Sequence, residues 1–232
     1  MQIIAELQNV SKSYQQPGYG IRNLILDKVS LSIREKESIA IVGPSGSGKS
    51  TLLNLLGTLD RPSSGKILLN EMDAGEMNDT QLAEIRNRFI GHVFQLHYLL
   101  PQLTLLENVL LPLLARKDKP DKQSMQNRAL ELIERVGLSD HLHQFPYSMS
   151  VGECQRAAVV RSLINQPRLL LADEPTGSLD AENADQLGKL LVELNREQQT
   201  ALVVVTHSTD LARLMQTKYR ISSGKLQLVE SL

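Results

Sequence analysis

A chain of 232 residues with 41% hydrophobic side chains can bury one large core, or a core with an inserted lobe, and is too short for two such units. Its 25 basic and 26 acidic residues leave a formal net charge of -1, which excludes the basic bias of a nucleic-acid binder. The single cysteine, Cys154, excludes an internal disulfide, the start Met1-Gln2-Ile3-Ile4 lacks the basic and apolar regions of a signal peptide, and the densest apolar stretch, 109–115, holds Pro112 and falls far below the ~20 residues a spanning helix needs, so a cytosolic chain with no direct membrane insertion is expected.

Between residues 3 and 33 apolar positions alternate in short runs, among them Leu24 and Leu26, then Val29, Leu31 and Ile33, and a polar stretch at 15–20 separates them. That period of two predicts antiparallel strands. Ser38-Ile39-Ala40-Ile41-Val42 is a continuous apolar run that ends in glycine, which suits a strand buried on both faces of a parallel sheet. A helix is predicted over 50–56. From about 91 to 165 the pattern is mostly helical, with one helix at 105–116 and a second at 123–136 whose inward face is Leu130, Leu132, Ile133 and Val136 and whose end is Gly137. This reads as an inserted helical lobe. Two more buried strands, 169–172 and 201–205, flank a helix from Ala181 whose apolar face is Ala184, Leu187, Leu190, Leu191 and Leu194. Strand, helix, strand implies a parallel sheet. The tail, 219–228, predicts a closing hairpin around Ser223-Gly224.

Gly43-Pro44-Ser45-Gly46-Ser47-Gly48-Lys49-Ser50-Thr51 matches the P-loop pattern and lies between a predicted strand and a predicted helix, the context that motif requires. Gly43, Gly46 and Gly48 let the loop bend so that successive backbone N–H groups converge on phosphate oxygens at the positive end of a helix. Lys49 would reach the terminal phosphates as a mobile point charge, and the Ser50 hydroxyl would ligate the Mg²⁺ that bridges them. Downstream, Leu169-Leu170-Leu171-Ala172-Asp173-Glu174 is an apolar strand that ends in two carboxylates. Standing alone, such a pair can simply open a loop. Beside a P-loop, at the edge where open parallel sheets bind ligands, Asp173 is expected to hold the Mg²⁺ and Glu174 to act as general base on an attacking water.

Five further segments complete a pattern: Tyr14; Gln95 in Val93-Phe94-Gln95; Ser148-Met149-Ser150-Val151-Gly152-Glu153-Cys154-Gln155-Arg156; Asp180 in Gly177-Ser178-Leu179-Asp180; and His207 after Val203-Val204-Val205-Thr206. In order and spacing the chain resembles the nucleotide-binding domain of ABC transporters over essentially its whole length. The resemblance implies an α/β P-loop NTPase fold: a RecA-like parallel-sheet core with an N-terminal antiparallel β subdomain over about 1–94 and 166–232, and an α-helical subdomain over about 95–165. It implies that Tyr14 stacks on adenine, as a flat π-face can, although a core tyrosine would also suit that position. Gln95 resembles the glutamine that senses the γ-phosphate, and it joins Ser50 and Asp173 as a Mg²⁺ ligand. Ser150, Gly152 and Glu153 fall in the signature segment that meets the other subunit's γ-phosphate. Here Met149 replaces the family's leucine and Val151 its first glycine, and a β-branched residue does not take a positive φ cheaply. Asp180 resembles the D-loop aspartate at a dimer seam and equally suits the N-cap of the helix from Ala181. His207 resembles the switch histidine beside the γ-phosphate. His92, His97, His141 and His143 have no Cys or acidic partners at metal-ligand spacing, and Cys154 reads as a small packing residue.

The same resemblance implies an ATPase with ATP and Mg²⁺, a homodimer closed around two ATP, and integral membrane permease subunits as partners, which would hold the chain on the cytoplasmic face of the inner membrane. Phe94-Gln95-Leu96-His97-Tyr98-Leu99-Leu100-Pro101, Leu106-Glu107-Asn108-Val109 and Asp173-Glu174-Pro175-Thr176-Gly177-Ser178-Leu179-Asp180 are similar to the lipoprotein-releasing LolD type and its macrolide-export MacB and cell-division FtsE relatives. The first two imply export of a cargo, and the third implies regulation of wall hydrolases through a membrane partner. A P-loop kinase for a small molecule would share Lys49 and Ser50, but not the Ser150/Gly152 segment or His207.

Overall fold

The computed structural model describes residues 2–15, 22–118 and 121–230, so the stretch expected to join the first two strands falls largely outside the described residues, at 16–21. Strands β1 (Ile3–Gln15) and β2 (Arg22–Arg34) pair antiparallel, as their alternation predicts, with Leu7 and Val10 facing inward from one and Leu26, Leu31 and Ile33 from the other. The all-buried β3 (Ser38–Val42) leads through the glycine-rich loop into α1 (Lys49–Leu56). Next come β4 (Ser64–Leu69) and β5 (Met72–Asp73), which extend the first sheet to the order β2-β1-β4-β5.

A polar helix, α2 (Asp79–Arg88), precedes β6 (Ile90–Val93). The helical reading from residue 91 is therefore corrected at its start. Gly91 is pressed against the Ser162 carbonyl, where a Cβ would stand 2.6 Å from the oxygen, and the segment pairs in parallel with a buried neighbour strand. The helical part holds α3 (Leu105–Leu110), α4 (Lys122–Arg135) and α5 (Val151–Leu163). The helix expected over 105–116 stops at Leu110 and tightens into a 3₁₀ turn, Leu111–Ala115, because Pro112 has no N–H to continue the ladder.

On α4 the inward face is Ala129, Leu132 and Ile133, with Val136 just beyond, while Leu130 is 36% exposed. The prediction for Leu130 is thus corrected: the stripe is centred on Ala129, too small to be conspicuous. Gly137 ends the helix as expected, at φ +70°, with its N–H on the Glu134 carbonyl and that of Leu138 on the Ile133 carbonyl.

The chain then alternates β7 (Leu169–Asp173), α6 (Ala181–Glu197), β8 (Ala201–Thr206) and α7 (Thr209–Arg213), and closes on the hairpin β9 (Thr217–Ser222) and β10 (Lys225–Leu228). Ser223 and Gly224 turn that hairpin with φ of 49° and 74°, the left-handed pair such a turn needs. The second sheet runs β10-β9-β3-β8-β7-β6 and is parallel from β9 to β6.

Its central strands separate two cores. Ile39, Ile41, Leu169, Leu171, Val203 and Val205 point to the side of α1 and the first sheet, whereas Ala40, Leu170, Leu202 and Val204 point to the side of α5 and α6. Burial on both faces explains why these strands read as unbroken apolar runs. Leu191 on α6 is fully buried in the second core, so Leu191→Ala is expected to cost about 2–5 kcal/mol, while Leu130→Ala costs less than about 1, both measured by urea denaturation.

Candidate functional site

Parallel pairing puts the C-terminal ends of β3, β6, β7 and β8 along one edge of the sheet. The residues just past those ends are the P-loop, Gln95, Glu174 and His207. They meet in an open cleft of about 540 Å³ lined by Tyr14, Ser45, Gly46, Gly48, Lys49, Ser50, Thr51, Gln95, Glu174 and His207, together with Ile25. All but Ile25 are residues singled out in the sequence. Ile25 was missed because it looks like any β2 core residue. Its carbonyl and side chain press on Gly48, whose φ is 100° and where a Cβ would stand within 3.0 Å of the Leu26 and Ile25 side chains.

The floor of the cleft is the start of α1. Helices α2 to α7 each begin with a side chain that accepts from the first turn: Asn78, Thr104, Asp121, Ser150, Asp180 and Ser208. Among the described residues α1 alone begins without such a cap and with no acidic residue in its first turn. Its leading amides are therefore free to meet an external anion.

Lys49 is 8% exposed, and its Nζ donates to the Gly43 carbonyl at 2.9 Å and the Pro44 carbonyl at 3.1 Å. Gly43 packs against the Ile221 carbonyl so closely that no side chain fits there. Ser47 turns back through its N–H to the Pro44 carbonyl, and its hydroxyl is buried inside the loop.

Ser50 Oγ donates to Asp173 Oδ1 at 3.1 Å. Burial pushes the Asp173 carboxyl above the usual carboxylate range, and the nearby Glu174 adds to the rise, while Ser50 and Lys49 oppose it. A half-buried carboxylate beside a hydroxyl is a site that gains from a cation. The Ser50 hydroxyl and the Asp173 carboxylate are oxygen donors of the kind that suit Mg²⁺, which takes few protein ligands and completes its shell with phosphate and water.

Glu174 sits at φ 45°, an unfavourable backbone state for a non-glycine residue, held by its own N–H on the Val205 carbonyl at 2.9 Å. Its Oε2 accepts from the His207 backbone N–H at 3.2 Å and lies 2.9 Å from His207 Nδ1. Its Oε1 is 3.9 Å from Lys49 Nζ. The carboxylate is thus tethered from one side, with its other oxygen turned into the cleft. Gln95 comes off β6 in a loop pinned from α5: Gln155 donates to the Phe94 carbonyl at 2.7 Å, and the Arg161 guanidinium donates to the carbonyls of His97 and Tyr98.

Ser150, Gly152, Glu153 and Asp180 do not line this cleft. Ser150 caps α5 in a reciprocal capping box with Glu153. Asp180 caps α6 through the Asn183 N–H at 2.9 Å and also binds the Asn183 side chain at 2.7 Å. The side-chain oxygen Oδ1 of the same Asn183 stands 3.1 Å from where a Gly152 Cβ would be. The signature and D-loop segments therefore meet each other beside the cleft, and the latter also reaches it, since Ser178 Oγ donates to the Gln95 carbonyl at 3.3 Å. Val151 is the first helical residue of α5, has no positive φ and is 53% exposed, so valine is accommodated without strain. Tyr14 is 43% exposed, which removes the reading of it as a core tyrosine. Cys154 is buried, with its thiol toward the Pro146 carbonyl.

Residues 26–177 match the family model described as ABC transporter. Among solved structures, the chain is similar to the ATP-binding cassette MJ0796 in a dimeric post-hydrolysis state bound to ADP and Pi, with 36% identity over 98% of this chain and 100% of that one and a TM-score of 0.87. A second dimeric structure of MJ0796, described as a bacterial ABC transporter cassette, matches equally well. It is also similar to cbiO1 from Clostridium perfringens, part of the ABC transporter complex cbiONQ, with 25% identity over 98% of this chain and 88% of that one and a TM-score of 0.86.

Proposed function

This chain belongs to the ABC transporter family as an ATP-binding cassette with ATPase activity, and from that membership we propose that two copies close head to tail around two ATP molecules and drive membrane-spanning partner subunits. One observation carries the dimer. Ser150, Gly152 and Glu153 do not line the phosphate cleft of their own chain, which supports a site that takes the cleft from one chain and this segment from another. The relative that is dimeric with ADP and Pi bound supports a dimer here.

In this reading the α1 amides and Lys49 take the β- and γ-phosphates, and Tyr14 takes the adenine face. Ser50, Asp173 and Gln95 would hold Mg²⁺, which would neutralise phosphate charge. Glu174 accepts a proton from a water whose oxygen attacks the γ-phosphorus, while the bond from that phosphorus to the β-γ bridging oxygen breaks and ADP leaves. His207 steadies Glu174 from the side. Ser150 Oγ and the Gly152 N–H, at the start of α5, bind the γ-phosphate carried by the other copy. Once the γ-phosphate is cleaved the contacts shared across the seam are lost and the dimer opens. Because Val151 already has a helical backbone, Val151→Gly is expected to change ATP turnover less than about tenfold in a phosphate-release assay; a rise of about a hundredfold or more would show instead that valine cripples the segment.

The membrane partner is proposed to rest on the loop after Gln95. Leu96, Tyr98 and Leu100 are 57%, 61% and 42% exposed there, an apolar surface that a partner helix would cover. Among the described residues no helix is long and apolar enough to cross a membrane, and the spanning part is proposed to belong to partner subunits. The LolD-like segments favour lipoprotein release, or a related MacB-type export, as the work done. Purification from detergent-solubilised membranes with this chain as bait tests the branch. A lipoprotein-releasing permease in the complex supports it, a partner that activates wall hydrolases replaces it with the FtsE-type reading, and recovery of no integral membrane protein rejects a transporter role.

A further inference from the structure

Resting on the reading of Tyr14 as the adenine platform, we propose that Asp60 is a positioning residue for nucleotide binding: it grips the Tyr14 hydroxyl, with Lys12 locking Asp60, so that the ring is set in place before the base arrives. The tyrosine stands next to the last residue of β1, is 43% exposed and lines the cleft, conditions under which a ring is ordinarily free to change rotamer. Here it is not free. Tyr14 OH donates to Asp60 Oδ2 at 2.7 Å.

The other carboxylate oxygen, Oδ1, takes Lys12 Nζ at 2.6 Å and the Arg61 N–H at 2.7 Å, and Lys12 Nζ also donates to the Arg61 carbonyl at 2.7 Å. Each Asp60 oxygen thus has its own work. Lys12 is 9% exposed, so its charge is well shielded from water and the pair with Asp60 resists exchange. Lys12 and Tyr14 stand two residues apart on the same side of β1, and Nζ lies 4.8 Å from the ring centroid, closing one face of the ring. Although burial pulls the Asp60 carboxyl upward, Lys12 and Tyr14 outweigh it and hold it below its ordinary value. Burial, then the bond to Asp60, raises the Tyr14 phenol, which keeps it a donor.

A stacking ring that is already oriented loses less freedom when a base settles on it. The gain should appear in affinity for the base and not in the chemistry. For Asp60→Ala and for Tyr14→Phe, which keeps the ring, KM for Mg-ATP should rise about five- to tenfold with kcat within about twofold of the parent. The double variant should be no worse than the weaker single, since both remove one bond. Asp60→Asn, which keeps an acceptor for the phenol, should fall between. Inorganic tripolyphosphate, which has no base, should bind Asp60→Ala as it binds the parent.

Two results overturn the proposal: Tyr14→Phe with a parental KM while Tyr14→Ala raises it, or tripolyphosphate binding that weakens in step with ATP, which would make Asp60 a structural support of the loop. A parental KM in Tyr14→Ala is a different failure, because it removes Tyr14 itself from base binding.

Discussion

Glu174→Gln is expected to lower ATP turnover by about a hundred- to ten-thousand-fold, the range removed with a general base, while ATP binding survives. The amide keeps the size of the side chain, and its oxygen can still accept from the His207 N–H that the carboxylate takes at 3.2 Å. What it loses is basicity and charge. Glu174 lies next to Asp173, whose carboxyl is already pushed upward chiefly by burial and then by Glu174, so removing one charge eases the entry of a polyanion. Binding should therefore hold or tighten as hydrolysis stops, and the variant should accumulate as an ATP-loaded dimer. Light scattering on a sizing column with Mg-ATP reads the dimer, and phosphate release reads the turnover. Parental turnover would take the base role away from Glu174; blocked turnover with a monomer throughout would leave the base in place and remove the shared-site arrangement.

Those residues were legible in the sequence because each terminates an apolar run. Val42, Asp173 and Thr206 end strands that lie in parallel, and parallel strands carry whatever follows them to one edge; Gln95 follows Val93 on a strand that reads as helical from sequence, and only the family resemblance points to it. Residues 57–90 were not legible in the same way. The pairing of β4 with β1 joins Lys66 to Gln8 and Leu68 to Glu6, contacts no local pattern announces, and α2 buries only Leu82. Its start could have been found: Asn78 and Gln81 have the spacing of a capping box and form one. Lys12 and Asp60 went unread for a related reason. They are 48 positions apart, and an isolated lysine or aspartate has no periodicity to betray its partner. Val151 left a question that the sequence could not answer, whether the position needs a left-handed backbone, and the structure answers it, since the segment is simply the first turn of α5.

Lys49→Met is expected to weaken ATP binding by about a hundred- to thousandfold in a calorimetric titration, because the substitution removes a charge whose bonds form away from bulk water. Among the described residues that line the cleft, Lys49 is the only lysine or arginine. At 8% exposure its attraction for phosphate is little screened by salt. Before nucleotide binds, Nζ is held by the Gly43 and Pro44 carbonyls, and those bonds set the curvature of the loop as well as storing the charge near its target. Methionine fills the channel with a similar stem but leaves both carbonyls without that donor, so the nucleotide-free protein should lose about 1–3 kcal/mol of stability. The two measurements separate two roles. A loss of stability without a loss of affinity would make Lys49 a brace of the loop, and a loss of affinity far beyond the change in stability places the phosphates on its ammonium. Lys49→Arg should not restore binding, since a planar guanidinium cannot occupy a slot shaped for a compact ammonium between two backbone carbonyls.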